Sequence, residues 1–176
     1  MKKNLTLAAV AAITLFTSCA VGRKMSYENK EAATAYTVTK TAVIVFQDKR
    51  ETVLAGKEKP SFCGHNNSTM QIGYNIQTSS GRPLADEFAE SVSKGYSNKG
   101  AAATVLLVNM NTAADSILQV FKADGKERLI FFTMHKWESR ATPLFSSFRY
   151  EQTYDLELNV YDKNGTLMAN AATHDV

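Results

Sequence analysis

Between Phe148 and Val160 apolar and polar side chains alternate almost without a break. Phe148, Tyr150, Tyr154, Leu156, Leu158 and Val160 interleave with Arg149, Glu151, Thr153, Asp155, Glu157 and Asn159. A helix would scatter such a pattern around its axis, whereas a strand sends successive side chains to opposite faces. The stretch is therefore read as a long antiparallel strand with one face on a core and the other in water. Asp162 to Gly165 then turns the chain, Gly165 supplying the positive φ that a tight hairpin requires. Residues 166–174 return as its antiparallel partner.

The elements before this hairpin follow a different rhythm. Residues 37–46 are rich in β-branched side chains and close on an unbroken apolar run from Ala42 to Phe46, as expected of a first central strand buried on both faces. From Gln47 to Ser80 the chain is polar and glycine-containing; it reads as a long loop, with residues 70–78 its only strand-like portion. Leu84, Phe88, Val92 and Tyr96 then recur every fourth residue. Pro83 suits a first helical turn, Asp86 and Glu87 suit its dipole, and Gly100 marks the stop. Residues 103–110 form a second apolar strand and 111–125 a second, shorter helix. Ala114, Ile117, Leu118 and Phe121 lie on one face of that helix, Asn111 or Thr112 serves as cap, and Gly125 ends it. Residues 128–139 are a third buried strand, apolar on both faces up to Met134. The expected architecture is α+β (mixed α/β): a βαβ unit leading into an antiparallel meander, with helices on one face of a mixed sheet.

The amino terminus has a separate logic. Lys2 and Lys3 precede an uncharged stretch from Leu5 to Phe16, too short to cross a bilayer core of roughly 30 Å as a helix. A basic start, a short apolar run and small residues are the parts of a secretory signal. Here Phe16-Thr17-Ser18 leads into Cys19, and the segment resembles the signal of bacterial lipoproteins, with Phe16 where leucine is commonest. That resemblance implies cleavage after residue 18 and acylation of Cys19, an anchor whose strength grows with each buried CH₂ by about 0.8 kcal/mol. Ala20 after the cysteine favours the outer membrane over inner-membrane retention. Residues 19–36, polar and lightly charged, read as a lipidated flexible tether, and residues 37–176 as a single periplasmic domain. Loss of Lys2 and Lys3 leaves 18 of the 20 basic residues against 17 acidic ones, so no basic field remains to attract nucleic acid. With Cys19 acylated, Cys63 is the remaining thiol and no internal disulfide is available.

The strand ending in Phe46-Gln47-Asp48-Lys49-Arg50, the helix opened by Leu84-Ala85, the tryptophan-bearing strand and the hairpin at Asp162 to Gly165 resemble bacterial outer-membrane lipoproteins of the YajG-like and transporter-auxiliary type, whose domain is similar to the TolB amino-terminal domain. The likeness spans residues 38–172. It implies an accessory role in envelope assembly or lipid handling, brings no catalytic residues with it, and suggests a further helix after the hairpin, so that the sequence reads as truncated within its last strand.

Several side chains invite chemistry. Cys63 and His65 place a thiol two residues from an imidazole, the minimal parts of a nucleophile and base, but nothing marks a third, orienting group. Cys63, His65, His135 and His174 are too scattered to converge on a metal, and neither a P-loop nor a dinucleotide fingerprint is present, so no cofactor is expected. Asp48 and Arg50 leave the carboxyl end of the first strand, where α/β sheets usually bind ligands. Arg50 with Arg82 would suit an anion, while an ion pair from Asp48 to Arg50 or Arg82 would pin the loop. His135 and Trp137, two apart on one strand, share a face in this reading and form either a core rim or an aromatic patch for a partner. The expectation is a membrane-anchored, non-catalytic binding or assembly protein that engages an envelope protein or lipid; the alternative is a periplasmic hydrolase using Cys63 and His65.

Overall fold

The computed structural model describes residues 24–27, 30–32, 40–68 and 72–175. The signal segment and Cys19 lie outside these residues. In chain order the elements are β1 (Lys24–Met25), β2 (Thr41–Asp48), α1 (Glu51–Leu54), β3 (Phe62–Asn67), β4 (Gly73–Thr78), α2 (Leu84–Asn98), β5 (Ala102–Val105), α3 (Ala114–Asp124), β6 (Arg128–Pro143), β7 (Phe148–Asp162) and β8 (Leu167–Asp175). All eight strands belong to one mixed sheet. The mixed α/β class, the βαβ unit and the closing antiparallel meander are as expected. β2 and β5 pair in parallel across α2, and β6, β7 and β8 pair antiparallel in sequence.

The sheet is organised by β6, whose 16 residues exceed any neighbour. β7 follows one edge for nearly its whole length, from Arg128 opposite Asp162 to Pro143 opposite Phe148. The other edge is shared. β2 runs parallel to it from Arg128 to Met134, and β3 runs parallel to it from Ser139 to Ala141. The sheet therefore forks, one branch continuing through β2 to β5 and the other through β3 and β4 to β1.

The core explains why β2 is apolar from Ala42 to Phe46. Ala42, Ile44 and Phe46 face α2, packing with Leu84, Ala85, Phe88 and Ala89, while Val43 and Val45 face α3, packing with Ile117 and Phe121. Successive strand residues point to opposite sides. The helices thus cover opposite faces of the sheet, not the single face the sequence suggested. The unbroken run at Ala42–Phe46 already required cover on both sides.

Other expectations change in detail. The long loop at 47–80 contains α1 and the antiparallel pair β3–β4; a strand of sequence Phe-Cys-Gly-His-Asn-Asn carries too little β-branched or aromatic character to announce itself. The second strand ends at Val105, five residues early. Neither Asn111 nor Thr112 caps α3; its N-cap is Ala113, and the Thr112 hydroxyl accepts from the Asn109 N–H instead. Gly125 does end α3, at φ 71°. In β7 only the second half of the apolar face is covered, by Leu156 and Leu158 against the α2 cluster, while Phe148 and Tyr150 stand exposed.

The described part of the expected tether is docked. β1 pairs in parallel with β4, and Tyr27 packs edge-on against Phe88 and Trp137. The Tyr27 backbone N–H donates to Glu87 Oε2 at 2.8 Å, and the Ser80 hydroxyl to Glu87 Oε1 at 2.7 Å. Glu87 is fully buried. A carboxylate is costly to bury without such donors, so this segment and α2 stabilise each other.

Candidate functional site

β2 ends at Asp48, opposite Met134, and the next neighbour on that edge of β6 arrives only at Ser139. Residues 135–138 are left facing the chain that crosses from β2 to β3. On its β7 side, β6 carries a bulge between Met134 and Lys136 at the same level. The result is a cleft of about 230 Å³, open to solvent, bordered by His135, Lys136, Trp137 and Glu138 from β6 and by Phe62 and His65 from β3. Arg50, Glu51, Thr52 and Glu58 close it from the crossover.

Arg50 holds the crossover in place. It donates through Nε to Asp48 Oδ1 at 2.9 Å and through Nη2 to Asp48 Oδ2 at 2.7 Å. It also donates to the carbonyls of Phe62 at 2.6 Å and Pro60 at 3.1 Å. Asp48 Oδ1 further accepts the Arg50 backbone N–H. Both side chains are buried, so a planar guanidinium here spans the end of β2, the crossover and the start of β3 in one network. The pinning ion pair is therefore Asp48 with Arg50. Arg82 is elsewhere, two residues before α2, paired to Glu90 of that helix at 2.7 Å. That contact draws the Glu90 carboxyl below its ordinary range, while burial pushes the neighbouring Asp86 carboxyl up. With Arg50 donating to Asp48 and two carbonyls, the two arginines do not form a joint anion site.

The bulge also separates His135 from Trp137. Trp137 packs with Phe88 and Tyr27 on the α2 side, whereas His135 Nε2 lies 3.8 Å from Glu157 Oε2. Glu157 points away from Leu156 and Leu158, which pack against the α2 cluster. The two residues border one cleft from different faces of the strand. On the opposite wall, His65 Nε2 lies 3.9 Å from Glu138 Oε1 and its ring tilts against Phe62 at 5.0 Å.

Cys63 and His65 are not brought together. A bulge falls between Phe62 and Gly64, and Cys63 turns into the α2 core, fully buried, with its thiol donating to the Ser61 carbonyl. Burial pushes this thiol up to about 12, against the lowering effect of Arg50. A thiol so placed stays protonated at neutral pH. Gly64 permits the approach: at φ 150° it sits against Ser139, where a Cβ would overlap the Ser139 carbonyl. His174 is on β8, opposite Asp155, and the width of β7 separates it from Lys136 and the cleft. Among the described residues no group of histidine, cysteine or carboxylate side chains is arranged to hold a metal ion.

Sequence reasoning reached Asp48, Arg50, His135 and Trp137 but missed Phe62, Lys136 and Glu138. No local pattern marks Glu138; its partner His65 comes from a strand 70 residues away that only the fork juxtaposes. Glu87 did leave a signal, an acid on the buried stripe three residues after Leu84 and one before Phe88.

No family profile matches the chain, and no curated protein matches it closely enough to count as a relative. Among solved structures it is similar to a dodecameric PelC variant from Paraburkholderia phytofirmans, at 14% identity over 84% of this chain and 79% of that one, TM-score 0.38. It is also similar to lipoprotein GNA1162 from Neisseria meningitidis, at 12% identity over 76% and 80%, TM-score 0.32. An uncharacterized protein is similar at 10% identity over 83% and 78%, TM-score 0.40. The likeness to the YajG-like and TolB-like families has no counterpart among these matches.

Proposed function

We propose that this protein is a lipid-anchored accessory of the bacterial cell envelope that binds a partner without transforming it, held at the outer membrane by acyl chains on Cys19. The fork cleft is its binding site. The observation that carries this reading is the cleft itself, a solvent-open gap in the sheet edged by Phe62, Trp137 and two histidines, each facing a glutamate. Aromatic walls with a few fixed polar groups are the usual composition of a recognition site. No helix among the described residues is long and apolar enough to cross a membrane.

The hydrolase alternative requires a thiolate within reach of His65. Here the thiol is buried, donates to a carbonyl, and lies on the core side of β3. Binding therefore fits the geometry better than acyl transfer.

Two measurements test the proposal. Intact mass of the membrane-extracted protein should show a mature chain beginning at Cys19 and carrying acyl chains, and Cys19→Ala should release the protein into the aqueous fraction. A photo-crosslinking residue at Thr52 or Lys136, on the cleft rim, should capture an envelope component that the same residue at Lys99, beyond the end of α2, does not. Equal capture at all three positions, or an unacylated mature chain, rejects it.

A further inference from the structure

One end of the sheet gathers exposed apolar side chains. At the β6–β7 turn, Leu144, Phe145, Phe148 and Tyr150 all face solvent, Phe145 completely and Tyr150 by 74%. Ile72, at the start of β4, is exposed as well. Strand directions place these residues at the same end. β3 runs parallel to β6 with Asn66 opposite Ala141, and Asn67 pairs with Gly73 at the start of β4. From 141 to 150 the only charged residue is Arg149. Isolated exposed apolar residues need no explanation, but a cluster of aromatic and aliphatic side chains at one tip does.

The first described strand is oriented toward that same end. β1 is parallel to β4, pairing Lys24 with Gln77 and Met25 with Thr78, so the Lys24 end of β1 points toward the Gly73 end of β4. Met25 also lines one small cavity with Ala141 and Tyr150, at the base of the tip. Cys19 is five residues before Lys24. Even fully extended, that distance is roughly 17 Å. Acyl chains on Cys19 would therefore hold the tip close to the bilayer that contains them.

We infer that the β6–β7 tip is a membrane-contacting surface, with Phe145, Phe148, Tyr150 and Leu144 resting in the interfacial layer of the bilayer that carries the anchor. The occupant is a lipid surface, since the short anchor reach fixes which neighbour this end meets. Aromatic side chains with little charge around them suit the headgroup boundary. The contact orients the domain, with β6 rising from the membrane and the fork cleft above it. This inference rests on the anchor reading of Cys19.

The test uses the lipidated full chain carrying Phe145→Cys, or Asn164→Cys at the far β7–β8 turn as control, each labelled with an environment-sensitive fluorophore. Cys63 is buried and does not compete for label. In vesicles of phosphatidylethanolamine and phosphatidylglycerol, the probe at 145 should shift to the blue and be quenched by shallow spin-labelled lipid, with neither change at 164. An acylated, vesicle-bound protein whose 145 probe stays as wet as the 164 probe overturns the inference and leaves the anchor standing. A Cys19 without acyl chains removes the anchor and the inference together.

Discussion

Replacing Arg50 with methionine is the sharpest test of how the cleft is built. The substitution keeps an unbranched apolar stem but removes donors to both Asp48 carboxylate oxygens and to the carbonyls of Phe62 and Pro60. Asp48 is 6% exposed, so its carboxylate would stay buried with little besides the Arg50 backbone N–H to satisfy it. Breaking a buried ion pair from one side typically costs about 3–5 kcal/mol, and a stranded buried carbonyl about 1–3 kcal/mol before relaxation. These contributions overlap, so about 4 kcal/mol is expected, a large share of the ~5–15 kcal/mol that holds a domain together. Urea unfolding followed through Trp137, the single tryptophan, reads this directly, because Trp137 packs on Phe88 beside the same cleft. Asp48→Asn in the same chain should recover part of the loss, since the amide oxygen still accepts the Arg50-position N–H while the unpaired charge is gone. A single substitution costing under about 1 kcal/mol, the range of an exposed pair, would refute the claim that this network pins the crossover.

Three further outcomes follow from individual residues. Gly64→Ala should cost about 3 kcal/mol or more, because the new Cβ meets the Ser139 backbone and the position holds a φ that side chains disfavour; thermal unfolding and loss of exchange protection at Ser139 to Ala141 would show it. Cys63 should resist a maleimide at pH 8 in the folded protein and react at once in denaturant, since at a pKa of about 12 only about one thiol in ten thousand is ionised; rapid labelling of the native state would contradict its placement. Arg82→Ala should raise both neighbouring carboxyls in an NMR titration, Glu90 back toward its ordinary range and Asp86 further above it. Because Glu90 is depressed when folded, its pair stabilises above the ordinary glutamate range and that contribution fades as pH falls through the lowered value. At about one-third exposure it amounts to no more than ~0.5 kcal/mol, so the titration is the decisive reading.

What the sequence disclosed follows the strength of local periodicity. The helix at Leu84 was legible because Leu84, Phe88, Val92 and Tyr96 repeat at helical spacing, and β7 because its alternation runs for a dozen residues. β2 betrayed its two-sided burial by an apolar run that only a central strand tolerates. β3 was hidden because its side chains are stabilised by partners far along the chain: Gly64 by its approach to Ser139, His65 by Glu138, Phe62 by its carbonyl's bond to Arg50. The His135 to Trp137 relation failed for a related reason. A bulge shifts the side-chain period by one residue, and period-two reasoning has no means of seeing it. The site was half legible because residues at the end of β2 obey a general rule of α/β sheets, whereas the fork that completes the cleft is a property of pairing.

The fork and the tip together fix how the cleft experiences the membrane. Trp137 and Phe145 are eight residues apart, the first within β6 and the second in the turn that follows it, which is about 26 Å along an extended strand. With β6 tilted by 45° the height above the interface is still about 18 Å, roughly twice the ~8 Å over which physiological salt screens charge. The potential of anionic headgroups therefore decays before it reaches His65, Glu138, His135 and Glu157. The chemical shifts of these four residues in the lipidated protein at physiological salt should be the same in neutral and in anionic vesicles. Below about 0.01 M salt, where the screening length grows to ~30 Å, the two sets of shifts should diverge. Histidines that respond to headgroup charge at physiological salt would place the cleft against the bilayer and invert the orientation argued from the tip.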